Sequence, residues 1–205
     1  MSLDQYHVVR LLQQQGQSLG DNIALEGFDM SAPWHTVTWG AFDTVTDSVA
    51  QLLIEFGLQV QDKVVILAQN CPQWTCADIG ALKARNVVVP VYPTSTIEQA
   101  VFIVNDSLNA DNHVYFDQVL AAQFNPLITN ELNTRLANSN LDDLFTLIYT
   151  SGTTGNPKGV MLDYRNFASM IKQHDSELPF TAGDVSLAFL PLSHVFERGW
   201  SMYVL

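Results

Sequence analysis

Two short apolar runs, "KVVILA" (63–68) and "VVVPVY" (87–92), stand either side of a stretch, "PQWTCADIGALKAR", with helical character. Runs of this length, rich in β-branched residues, read as buried strands, with the helix between them beginning near Pro72. Just beyond them, Ser95-Thr96-Ile97-Glu98 has capping-box spacing ahead of "QAVFIVN". Strand, helix, strand, helix in quick succession points to an α/β fold, a parallel-rich sheet with helices packed on it.

The flanking sequence extends that pattern. Trp39, Phe42, Val45, Val49, Leu52, Leu53 and Phe56 recur at three- and four-residue steps, one face of a helix that Thr38 would cap and Gly57 would stop. The stretch 106–143 is less regular. It holds one short strand candidate at 113–116 and weak helical spacing at 132–137, and reads as mostly loop and helix. Strands are expected again at 144–150 and 159–163, then a helix over "YRNFASMIKQH" and a further buried strand over "DVSLAFLPL" (184–192).

Charge narrows the function. The chain of 205 residues has 9 Lys and Arg against 21 Asp and Glu, a net charge of −12. That balance repels a phosphate backbone and argues against nucleic-acid binding. A small phosphate ligand stays open, because a local cluster of amide N–H groups needs no positive chain. Cys71 and Cys76 make neither a zinc site nor a disulfide framework and are expected as reduced thiols. The first residues lack the apolar run of a signal peptide, and no stretch has the length of a membrane-spanning helix. A cytoplasmic enzyme is the expected class.

The densest chemistry lies in "IYTSGTTGNPKGV" (148–160). Gly152, Gly155 and Gly159 permit positive φ and close backbone approach, so that successive N–H groups can converge on an anion. Thr150, Ser151, Thr153 and Thr154 add hydroxyls, and a threonine oxygen can face a magnesium ion. Lys158 supplies the one fixed positive charge. Together they suit the β- and γ-phosphates of a nucleotide. A plain hairpin turn accounts for Gly and Asn-Pro, but not for so many hydroxyls beside one lysine. The common P-loop needs Gly-Lys-Ser/Thr running into a helix, whereas Lys158 follows Pro157 and precedes a strand. Ser151 is not in a Gly-x-Ser-x-Gly elbow either.

"YTSGTTGNPKGV" closely resembles the phosphate-binding signature of the adenylate-forming superfamily: acyl-CoA synthetases, luciferases and peptide-synthetase adenylation domains. "LPLSHVFERGW" (190–200) resembles the next motif of that superfamily, in the form seen in long-chain fatty acid–CoA ligases. The region 23–107, with "QNCPQW" and "VPVYPTS", is similar to the N-terminal part of those ligases. The resemblance implies a two-step reaction. ATP and a fatty acid give an acyl-adenylate and pyrophosphate, and coenzyme A then displaces AMP. It implies that Thr150, Ser151, Gly152, Thr153, Thr154, Gly155 and Lys158 hold the pyrophosphate end, with Thr153 nearest magnesium. It places His194 near the acyl-adenylate junction, as against a histidine that merely caps the strand ending at Leu192. Phe196 and Trp200 would line the acyl tunnel or simply pack. Glu197 and Arg198 would form an ion pair shaping the loop.

A full member of the superfamily is roughly three times this long. Residues 1–205 are therefore expected to be part of its N-terminal domain, with 106–143 shortened or irregular. The adenine-binding segment, the ribose-binding aspartate and the C-terminal domain with its catalytic lysine are not among them. Alone, the chain is expected to be inactive and prone to self-association into a homo-oligomer, and the resemblance admits peripheral contact with a membrane. Two alternatives stay open: adenylation of another carboxylate, and a non-catalytic nucleotide- or phosphate-binding module.

Overall fold

The computed structural model describes residues 2–29, 32–108, 126–150 and 157–205. Helix α1 (Val8–Leu19) precedes an antiparallel pair, β1 (Ile23–Asp29) and β2 (Ala32–Thr38). Helix α2 (Trp39–Glu55) follows, with the Thr38 hydroxyl accepting the Ala41 N–H. Gly57, at φ +85°, ends it in the left-handed backbone that glycine adopts without strain. Phe56 lies past the helix end and is exposed rather than part of its apolar face.

A four-stranded sheet carries the rest, in the order β3 (Lys63–Leu67), β4 (Val87–Val91), β5 (Leu144–Thr150), β6 (Lys158–Asp163). The first three strands are parallel and β6 is antiparallel to β5. Between the strands run α3 (Pro72–Lys83), α4 (Ile97–Ser107) and α5 (Pro126–Ala137), followed by α6 (Tyr164–Glu177) and α7 (Val195–Val204). The expected strand at 113–116 lies outside the described residues.

Every residue of β4 is buried because both faces are covered. Val88 joins the main core with Phe42, Trp74, Ile79, Leu82, Phe145 and Tyr164. Val89 and Val91 pack instead with Ile103 of α4 and Tyr149 of β5. Helices α2 and α3 touch closely: a Cβ on Gly80 would stand 2.4 Å from the Val49 Cβ. The buried Lys83 ammonium at the end of α3 donates to Asp43 and Asp47 of α2, which satisfies the charge that burial would otherwise penalise.

The structure also departs from other expectations. The capping box of α4 is formed by Thr96 and Gln99, one residue further on than Ser95 and Glu98. Gly159 does not have positive φ: it sits in β6 opposite Tyr149, and a Cβ there would meet the tyrosine ring at 3.2 Å. Finally, 184–192 is not a buried strand. It is irregular, with Val185, Leu187 and Phe189 all at least 75% exposed. No strand among the described residues pairs with it, and alternating apolar residues cannot bury themselves without a neighbour.

Candidate functional site

Because β3, β4 and β5 run parallel, their carboxyl ends lie along one edge of the sheet, the edge where open α/β sheets bind their ligands. The pairing of β4 with β5 is confined to Val88 and Thr146, whose hydroxyl also donates to the Val88 carbonyl at 2.6 Å. Pro90, two residues on, has no N–H to extend the ladder. Beyond β3 come Asn70 and the start of α3. Beyond β4 comes Tyr92, and beyond β5 the hydroxyl- and glycine-rich stretch.

Thr150 and Lys158 are direct partners across the β5–β6 ladder, and both are exposed. The hairpin thus brings the first hydroxyl and the cation of the motif to one end. Ser151, Gly152, Thr153, Thr154 and Gly155 lie outside the described residues. Gly159 lets the Tyr149 ring lie against the strand, and the Tyr149 hydroxyl donates to Asp106 of α4 at 2.6 Å. Burial and the Asp106 carboxylate push that phenol well above its ordinary range.

"HVFERGW" is a helix start, not a loop. His194 is the N-cap of α7: its Nδ1 accepts the Phe196 N–H at 3.2 Å. Nδ1 therefore carries the lone pair, and in the neutral ring Nε2 carries the proton. His194 is exposed, and its ring meets that of Tyr92 edge-on at 6.5 Å between centroids. It thus stands at the carboxyl edge of the sheet, presenting an N–H donor.

Glu197 and Arg198 do not pair. Arg198 reaches back to Asp78 of α3, with Nε to Oδ2 at 2.8 Å and Nη2 to Oδ1 at 2.6 Å, both side chains fully buried. Burial pushes the Asp78 carboxyl up, while the guanidinium beside it pulls it down. Glu197 is buried with Oε1 lacking a partner among the described residues.

Phe196 and Trp200 both line an apolar cavity of about 370 Å³. Phe145, Ile148 and Leu162 of the β5–β6 hairpin form one wall, and Phe167 and Met170 of α6 another. The volume falls within the range of small-molecule pockets. Lys158 and His194 do not line it, so the structure brings the two aromatic residues together and leaves the polar residues nearer the strand ends. Among the described residues no group of three or more His, Cys, Asp or Glu could hold a metal, and no helix is long and apolar enough to cross a membrane. Asn70 and Tyr92 fall in "QNCPQW" and "VPVYPTS", but the sequence gives no role to them or to Asp78 and Asp106, since each acts through a partner distant in sequence.

A family model described as AMP-binding enzyme matches residues 12–110 and 108–205. The chain belongs to the AMP-binding enzyme family. This family member is 32% identical over 201 residues to the long-chain-fatty-acid–CoA ligase FadD15 of Mycobacterium tuberculosis (strain ATCC 25618 / H37Rv), covering 82% of this chain and 34% of that protein. It is 30% identical over 213 residues to the long-chain-fatty-acid–CoA ligase heimdall of Drosophila melanogaster, covering 83% and 31%. The chain spans about a third of the length of these curated relatives.

Solved structures show the same α/β fold. The inhibitor-bound N-terminal domain of FACL13 from Mycobacterium tuberculosis matches with a TM-score of 0.72 at 24% identity, over 96% of this chain and 54% of that one. A fatty acyl-adenylate ligase from L. pneumophila, in complex with acyl adenylate and pyrophosphate, matches at 0.73 and 21%, over 97% and 38%.

Proposed function

We propose that this chain is the phosphate-binding, N-terminal part of an AMP-forming fatty acid–CoA ligase. The observation that carries the reading is the pairing of Thr150 with Lys158 at the carboxyl edge of the sheet, on the same hairpin whose Phe145, Ile148 and Leu162 wall a 370 Å³ apolar cavity. In the first step two anions, a carboxylate and ATP, must meet. Neutralising and orienting them is the main task of the site.

Lys158 and Thr150, with the stretch between them, hold the pyrophosphate end. The lysine takes up charge as pyrophosphate departs. His194 donates Nε2–H to an oxygen of the acyl carboxylate or the adenylate phosphate. It acts as a donor and not as a base, because its Nδ1 lone pair is already committed to the Phe196 N–H. Phe196 and Trp200 contact the acyl chain in the cavity and exclude water from it. Magnesium, carried in with ATP, would neutralise phosphate charge, and Thr153 is the residue of this chain assigned to it. Coenzyme A is the acceptor of the second step, and the cytoplasm is the compartment that suits these substrates.

The test is carboxylate-dependent pyrophosphate exchange by the full-length gene product. Oleate is expected to support exchange, and acetate, benzoate and free amino acids to support little. Exchange driven by an aryl or amino acid in preference to oleate would reject the fatty acid, and nucleotide binding without any exchange would favour a binding module.

A further inference from the structure

Asn70 lies three residues past the end of β3, outside any helix or strand. Its side chain spans the backbone of a segment 120 residues away. Nδ2 donates to the Leu190 carbonyl at 2.7 Å, and Oδ1 accepts the Leu192 N–H at 2.9 Å. Donor and acceptor together engage residues two apart, the pattern a neighbouring strand would offer an extended chain. The segment has no such neighbour among the described residues, so one amide side chain does the work of a ladder.

The candidate site begins directly after this clamp. The Leu192 side chain is buried, the His194 N–H donates to the Pro191 carbonyl at 2.8 Å, and His194 then caps α7. Upstream of the clamp the chain is exposed back to Pro179, with the Ser186 hydroxyl accepting the Trp200 indole N–H at 2.7 Å. The clamp is thus the last long-range tie on the backbone before the chain reaches the imidazole. The edge-on Tyr92 ring bounds the imidazole on another side.

We infer that Asn70 is a positioning residue: its amide fixes the Leu190–Leu192 backbone and thereby aims His194 at the reacting acyl group. The inference rests on the proposed role of His194 in adenylation. Asn70 itself touches no substrate. It acts by setting the N-cap from which α7 and its histidine depart. Asp at this position keeps an acceptor for Leu192 but loses the donor to Leu190, whereas Ala loses both.

The experiment is a double-mutant cycle in the full-length gene product, using Asn70→Ala, Asn70→Asp, His194→Ala and the Asn70→Ala/His194→Ala double variant. The readouts are kcat and the ATP KM of oleate-dependent pyrophosphate exchange, with hydrogen exchange of the 186–194 segment. Asn70→Ala is expected to lower kcat about 10- to 100-fold, the scale of a small misplacement of a reacting group, and to leave the ATP KM within about twofold. Asn70→Asp should fall between it and the parent. In the His194→Ala background Asn70→Ala should cost less than about twofold more, since one acts through the other. Exchange of the 186–194 segment should speed up in Asn70→Ala. A large loss in His194→Ala beside an unchanged Asn70→Ala rate, or losses that simply multiply, would overturn the positioning role and leave that of His194 standing. An unchanged His194→Ala rate would overturn both.

Discussion

Arg198 and Asp78 form two parallel hydrogen bonds, 2.8 and 2.6 Å long, between α7 and α3, with both side chains shut off from water. The guanidinium also lies 4.4 Å above the centre of the Phe145 ring, so it ties α3, β5 and α7 into one unit around the apolar cavity. A buried pair of this kind is costly to break from one side, because the remaining charge has no solvent to receive it.

Asp78→Ala is therefore expected to destabilise the protein by about 3–5 kcal/mol, and Asp78→Leu/Arg198→Met by much less. Denaturant titration of the single and double variants measures the difference. Equal losses in the two would show that packing, and not charge pairing, holds α7 in place.

His7 yields a pH dependence. It is buried flat against Tyr164, centroids 4.4 Å apart, and neither ring nitrogen has a partner among the described residues. Burial, helped by Arg10 and opposed by Asp143, the residue's own backbone and Asp4, lowers its pKa from 6.5 to about 4. Between those values the unfolded ring binds a proton and the folded ring does not, so stability falls as pH drops through the window. The gap corresponds to about 3 kcal/mol. The parent should lose that much more stability than His7→Phe between pH 7 and pH 4, as measured by denaturant midpoints. Parallel pH curves for the two would rule the effect out.

Gly159→Ala places a methyl group 3.2 Å from the Tyr149 ring, which its hydroxyl tethers to Asp106. The ring cannot move aside without loosening that tether, so a loss of about 1–2 kcal/mol is expected. Thermal melting reads it, and adding Tyr149→Ala should relieve most of the clash. An unchanged melting temperature in Gly159→Ala would mean that the ring yields freely.

Much of this was legible in sequence because it is local. Short β-branched apolar runs mark β3 and β4, Pro72 marks the start of α3, and the crowded run before Lys158 marks the hairpin end. The rest depends on partners far along the chain. "DVSLAFLPL" has strand composition whether or not a strand lies beside it, and composition carries no information about a ladder. Glu197 and Arg198 are adjacent in sequence, yet neighbours on a helix point about 100° apart and do not face each other. Arg198 finds its carboxylate in α3 instead. Gly159 has the composition of a phosphate loop, but its place in β6 is set by the tyrosine across the ladder.

The proposed function turns on the phosphate role of Lys158, and Lys158→Ala in the full-length gene product is its decisive test. The lysine is exposed at the hairpin end, so its removal leaves the core intact. Oleate-dependent pyrophosphate exchange is measured against ATP concentration in parent and variant of equal stability. The expected result is a fall in kcat equivalent to about 2–4 kcal/mol, with a smaller change in the ATP KM, because the charge is needed most as pyrophosphate leaves. An unchanged kcat would contradict that role and reduce the hairpin end to a turn.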